Sequence, residues 1–125
     1  ALGVDRHFSF GGYVGSPEEI YHRHGGLVLT SRFEGLPMVT VEAMRLGRMP
    51  VVTACGRNPE LVQDGVTGFL AESPTVDAVD AALRRAWSQR EEWAAIGNNA
   101  RDEIRNRYGD DPAGGFADLI IRVAQ

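Results

Sequence analysis

Apolar positions along the chain alternate between two habits. "GGLVLTS" (Gly25 to Ser31) and "MPVVTA" (Met49 to Ala54) are short apolar runs without polar alternation, the pattern of strands covered on both faces. "RHFSFGGYV" (Arg6 to Val14) reads as another short strand, closed by Gly11 and Gly12, and "GVTGFLAE" as a last one after a turn. Between the strands lie helix patterns. In "SPEEIYHRH", Ser16 can cap, Pro17 fits the first helical position, and Glu19 can complete a capping box with Ser16. Pro37 to Leu46 is helical and ends at Gly47. From about Thr75 the spacing becomes three and four throughout. Val76, Val79, Leu83 and Trp87 form one apolar stripe, and Trp93, Ile96, Ala100, Ile104 and Tyr108 a second. Phe116, Leu119, Ile120 and Val123 form the stripe of a terminal helix.

Strands alternating with helices predict parallel βαβ units, so the expected fold is α/β: a partial Rossmann-like parallel sheet of about four strands flanked by helices. Residues 1–72 carry the βαβ core, and 73–125 the C-terminal helices. A doubly wound sheet usually has five or six strands. Four fit either a small open α/β domain or the back portion of a larger one, and a start at Ala1 rather than Met favours the second.

Composition narrows the chemistry. The 125 residues are 43% hydrophobic and 24% charged, ordinary for a globular domain, with a net charge of −4 that argues against a nucleic-acid partner. Cys55 is the only cysteine, so no internal disulfide can form, and it reads as a small, partly buried residue. His22 and His24 are two apart, which on a helix points them to different sides, and no His/Cys or carboxylate cluster has metal-ligand spacing. No run approaches the ~20 apolar residues of a membrane span.

The candidate site lies in "SRFEGLPMVTVEA" (Ser31 to Ala43). In open α/β sheets ligands bind beyond the carboxyl ends of the strands, and this stretch leads from such an end into a helix. A helix N-terminus presents unpaired N–H groups and partial positive charge, ready for a phosphate. Pro37 cannot donate, so Met38 and Val39 are the expected amide donors, with Gly35 and Leu36 allowing close approach. Glu34 stands before the helix. Glu42 stands about five residues inside it, ~7.5 Å along the axis. Carboxylates only accept hydrogen bonds, which suits neighbouring sugar hydroxyls. The layout suits a ligand with a sugar at one end, phosphates in the middle and a ribose at the other. Spacing alone is equally compatible with a solvated loop acid and a surface position on an amphipathic helix.

The segment "EGLPMVTVEAMRLGRMPVVTACGRNPELVQDGVTGFL" resembles the donor-binding core of glycosyltransferase family 4, enzymes of the GT-B fold. The resemblance runs from about Phe10 to Tyr108. It rests on the glutamate pair, the "EAM…G…PVV" helix-to-strand unit, the "PELVQDGVTGFL" loop and the late "IGNNAR" helix. It implies that the chain is the C-terminal, nucleotide-sugar-binding half of such an enzyme, truncated on its N-terminal side. Glu34 would then contact donor-sugar hydroxyls as the catalytic residue, Glu42 the nucleotide ribose, and the amides around Met38 and Val39 the distal phosphate. Ser31 matches a serine before the motif. Of the glycine pair usual before the "PE" step, Gly56 matches and Arg57 departs. Arg57 could reach a phosphate or an acceptor acid, or simply face solvent. The arginine and lysine that clamp the pyrophosphate lie upstream in the family, and this chain contains no lysine.

The resemblance implies a retaining, metal-independent hexosyltransferase with no cofactor, using a UDP- or GDP-sugar. Its acceptor would be a glycan or glycolipid held by the N-terminal domain, as in polysaccharide biosynthesis. The parent enzyme would be cytoplasmic, with peripheral association at the inner membrane face, and this fragment alone inactive. The competing reading is a non-catalytic sugar-nucleotide-binding module or partner subunit, which need not keep both glutamates. A sugar-nucleotide epimerase of the same fold is a more distant third.

Overall fold

The computed structural model of the protein describes residues 3–35 and 37–110. After a 3-10 turn at Asp5–His7 come α1 (Pro17–Arg23), β1 (Gly26–Leu29), α2 (Met38–Arg45), β2 (Met49–Thr53), α3 (Asn58–Leu61), β3 (Phe69–Ala71) and α4 (Val76–Ser88). A second 3-10 turn at Arg90–Glu92 leads into α5 (Trp93–Tyr108). The strands form one parallel sheet in the order β1-β2-β3, with Val28 opposite Val51 and Val51 opposite Phe69.

β2 is central, and all five of its residues are buried. Because side chains alternate along a strand, its apolar residues divide between the two faces. Val52 packs with Val41 and Met44 of α2, Leu61 and Val62 around α3, and Ala100 and Ile104 of α5. Met49 and Val51 pack on the opposite face with Phe69 and Ala71 of β3, Ala82 and Ala86 of α4, and Ile96 of α5. The uniformly apolar β2 run therefore reflects helices on both sides of the sheet, as its sequence predicts. β1 has a strand neighbour on one side only among the described residues, and Val28 there is half-exposed.

Three sequence expectations change. Arg6 to Val14 forms no strand beyond the 3-10 turn, so the sheet has three strands among the described residues rather than about four. Phe10 and Tyr13 are 99% and 97% exposed, and a strand with neither ladder partner nor apolar face to bury gains nothing over irregular backbone. Ser16 precedes α1 and Pro17 opens it, but no capping box forms, because the Ser16 side chain makes no cap hydrogen bond. The α4 stripe is right in period and displaced in direction. Ala82 and Ala86 are buried, while Val76 is 85% and Trp87 62% exposed. The small alanines let α4 lie close over Phe69, turning the helix by about one residue, or ~100°, from the expected face. The α5 stripe packs inward along Ile96, Ala100 and Ile104, while Thr75 caps α4 by accepting from the Ala78 amide at 3.3 Å. The stripe from Phe116 to Val123 lies outside the described residues.

α2 and α5 meet where α2 ends. Gly47 turns the chain with φ +72°, and the buried Gly97 of α5 lies against it, so that a Cβ on Gly97 would collide with the Gly47 carbonyl oxygen. Helix propensity alone favours Ala over Gly by about 0.8–1 kcal/mol. We expect Gly97→Ala to destabilise the fold by about 1–3 kcal/mol, the usual range for overpacking. Urea unfolding checks this, and a gain in stability would show that the contact relaxes freely.

Candidate functional site

The loops that follow β1 and β2 emerge side by side, because these strands are parallel neighbours with Leu29 opposite Val52. The β1 loop carries Ser31 and Glu34, and the β2 loop runs from Thr53 through Cys55, Gly56 and Arg57 to Asn58. They interlock. Thr53 Oγ1 donates to the Ser31 carbonyl at 2.5 Å, and Cys55 Sγ lies 3.4 Å from the same oxygen. Ser31 Oγ donates to Glu34 Oε1 at 2.7 Å, so one carboxylate oxygen is engaged within its own loop. Gly56, at φ +54°, sits so close to the Glu34 carbonyl oxygen that any Cβ would clash with it. Both its conformation and its lack of a side chain are required there.

Pro37 precedes α2, and the first α-helical hydrogen bond runs from the Val41 amide to the Pro37 carbonyl at 3.2 Å. The amides of Met38, Val39 and Thr40 therefore have no acceptor within the helix. Pro37 is buried, Met38 half-buried and Val39 43% exposed. Gly35 is exposed, and a Cβ added there would meet nothing within 4 Å, while Leu36 lies outside the described residues.

Glu42 belongs to a different neighbourhood from Glu34. It is half-buried and lines a small cavity of about 130 Å³ with Pro17, Glu18 and Tyr21 of α1 and with Arg45 and Leu46. Arg45 pairs with Glu18 at 3.3 Å, and the Glu42 carboxylate makes no hydrogen bond to a described residue. Burial raises the Tyr21 phenol above its ordinary range, and the nearby Glu42 charge raises it further. Arg57, a candidate for phosphate or acceptor, is engaged by Glu60 at 2.7 Å in an exposed ion pair. Its guanidinium is raised first by that hydrogen bond and then by the Glu60 charge.

Sequence reading overlooked three residues here. Thr40, Thr53 and Asn58 are fully buried, and Asn58 links the other two by accepting from Thr40 Oγ1 at 3.1 Å and donating to the Thr53 carbonyl at 3.0 Å. The available signal was a threonine between Val39 and Val41, a polar residue in an apolar run. An apolar cavity of about 420 Å³ lies elsewhere, on the α4 face of β1 among Leu27, Val28, Leu83, Trp87 and Trp93. None of the candidate site residues lines it. Among the described residues, no group of three or more His, Cys, Asp or Glu side chains could hold a metal ion, and no helix is long and apolar enough to cross a membrane.

Known proteins resemble this chain in sequence and in fold. Glycogen synthase of Xanthomonas axonopodis pv. citri (strain 306) is 35% identical over 81 residues, covering 62% of this chain and 17% of that enzyme. Glycogen synthase of Pseudomonas syringae pv. syringae (strain B728a) is 38% identical over 61 residues, 49% of this chain and 13% of the enzyme. The chain thus spans less than a fifth of the length of these relatives. Among solved structures, Anabaena Alr3699/HepE in complex with UDP superposes with a TM-score of 0.79 at 25% identity, over 98% of this chain and 34% of that one. Sucrose-phosphate synthase from Thermosynechococcus elongatus shares the fold at TM-score 0.69 and 21% identity, over 82% of this chain and 26% of its own. The profile for glycosyl transferases group 1 matches residues 1–103 and so runs through β1, α2 and the loop after β2 that carry Glu34, Glu42 and Gly56. On that match, the chain belongs to the glycosyl transferases group 1 family.

Proposed function

We propose that this chain is the donor-binding part of a retaining glycosyltransferase of family 4, using a nucleotide-diphospho-sugar. One observation carries the reading: the carboxylate of Glu34 stands in the loop that leads into α2, whose first amides have no intrahelical acceptor. Glu34 contacts the donor sugar, the amides of Met38 and Val39 hold the distal phosphate, and Glu42 accepts from the ribose. The UDP in the Alr3699/HepE complex supports a UDP-sugar as the donor class. Transfer breaks the bond between the sugar's anomeric carbon and the diphosphate oxygen, and forms one to an acceptor hydroxyl. The acceptor's proton leaves with the diphosphate. Charge develops on that leaving group, and the positive end of α2 stabilises it as a preorganised dipole. The acceptor is a glycan or glycolipid held by another part of the enzyme, which works at the cytoplasmic face of a membrane.

Glu42 bonds a part of the donor that does not change during transfer, so Glu42→Ala in the full-length enzyme should weaken donor and free UDP alike, mainly through KM. Glu34 sits where charge develops, so Glu34→Ala should mainly lower kcat and leave UDP binding nearly intact. Each lost charged hydrogen bond is worth about 1.5–3 kcal/mol, or roughly ten- to hundredfold. Calorimetry with UDP beside steady-state kinetics separates the two roles, and equal weakening of UDP by both substitutions would remove the division between them.

Metal and fragment behaviour give two further tests. With no cluster of metal-ligating side chains among the described residues, the full-length enzyme should keep most of its activity in excess EDTA. Activity lost to chelator and restored by Mg²⁺ or Mn²⁺ would contradict a metal-independent mechanism. The 125-residue chain by itself should transfer no sugar, since reaction requires donor and acceptor held in one geometry. Turnover by the isolated chain, read as released UDP coupled to a glycosylated acceptor, would overturn that expectation.

A further inference from the structure

The two halves of the proposed donor site, Glu34 and the first turn of α2, are joined by a loop whose Arg32, Phe33 and Gly35 are exposed. Exposed side chains do little to fix the position of a loop. What spans them instead is a chain of hydrogen bonds beneath the loop. Thr40 of α2 donates to Asn58 at 3.1 Å, Asn58 donates to the Thr53 carbonyl at 3.0 Å, Thr53 Oγ1 donates to the Ser31 carbonyl at 2.5 Å, and Ser31 Oγ donates to Glu34 Oε1 at 2.7 Å. Thr40, Thr53 and Asn58 are 0% exposed. A buried polar group without a partner is costly, so each link disfavours any arrangement that would break it. Gly56 adds a steric stop on the same loop, against the Glu34 carbonyl.

We infer that Thr53 and Asn58 are positioning residues: they touch no substrate and set where the Glu34 carboxylate stands relative to the phosphate-binding end of α2. This rests on the role of Glu34 proposed above. Reacting groups are sensitive to displacement on the scale of 1 Å, which can cost on the order of a hundredfold in rate. Nucleotide binding, by contrast, relies on α2 and Glu42, neither of which needs Glu34 in place. The chain of bonds should therefore matter to kcat and hardly at all to UDP affinity.

The decisive variant is Thr53→Val in the full-length enzyme, which keeps the shape of the side chain and removes its hydroxyl. We expect kcat to fall roughly tenfold, the equivalent of one hydrogen bond at about 1.4 kcal/mol, with the Kd for UDP within about twofold of the parent. Thr53→Ser, which restores the hydroxyl, should recover most of the loss. In a Glu34→Ala background, Thr53→Val should cost less than about twofold, because a carboxylate that is gone cannot be misplaced. An equal loss in both backgrounds, an unchanged kcat, or a fall in UDP affinity as large as that in kcat would overturn the inference. If Glu34→Ala alone leaves kcat unchanged, the failure belongs to the catalytic role of Glu34. Should Thr53→Val not fold, Thr40→Val removes the far end of the same chain, and the same comparison with and without Glu34 decides the matter.

Discussion

Everything in this fold follows from the burial of β2 on both faces. A parallel strand whose residues alternate between two apolar layers must have helices above and below it, and α2 with α5 on one side and α4 on the other supply them. Burial of side chains such as Met44 and Phe69, each worth about 1.5–3 kcal/mol, is the main favourable term. Parallel pairing has a second consequence. Since β1 and β2 point the same way in close register, their outgoing loops leave the sheet together. The candidate site is the meeting of those two loops.

That meeting is made of polar bonds and backbone contact rather than apolar packing. Gly56 carries no side chain because the Glu34 backbone occupies the space a Cβ would need. Thr40, Thr53 and Asn58 can be buried only because each finds its partners in the neighbouring element. The result anchors an exposed, irregular loop to the rigid end of a sheet. Beneath the exposed residues of that loop, the buried bonds tie Ser31, and through it Glu34, to the end of β2.

The two glutamates sit in unlike settings. Glu34 is hydrogen-bonded within its loop, while Glu42 faces α1, where its charge helps to raise the Tyr21 phenol. Arg57, by contrast, spends its charge on Glu60 three residues on, as an exposed i,i+3 pair whose worth is small.

Period and local chemistry were legible in the order of residues. The apolar runs marked β1, β2 and β3, the three-and-four spacing marked α4 and α5, Pro17 marked the start of α1, and Gly47 the end of α2. Glu34 and Glu42 stood out because carboxylates are rare beside apolar runs. Direction and partnership could not be read the same way. Whether α4 turns Ala82 and Ala86 or Leu83 and Trp87 inward depends on how closely a helix can approach Phe69, which is a property of the packed pair. Arg6 to Val14 has the residues of a strand and lacks a ladder, since strand structure is completed only by a neighbour. Thr40, Thr53 and Asn58 are separated by up to 18 residues, and only the parallel register of β1 and β2 brings their loops together. Local patterns act through bonds a few residues apart, whereas a buried polar contact exists only after the chain has closed around it.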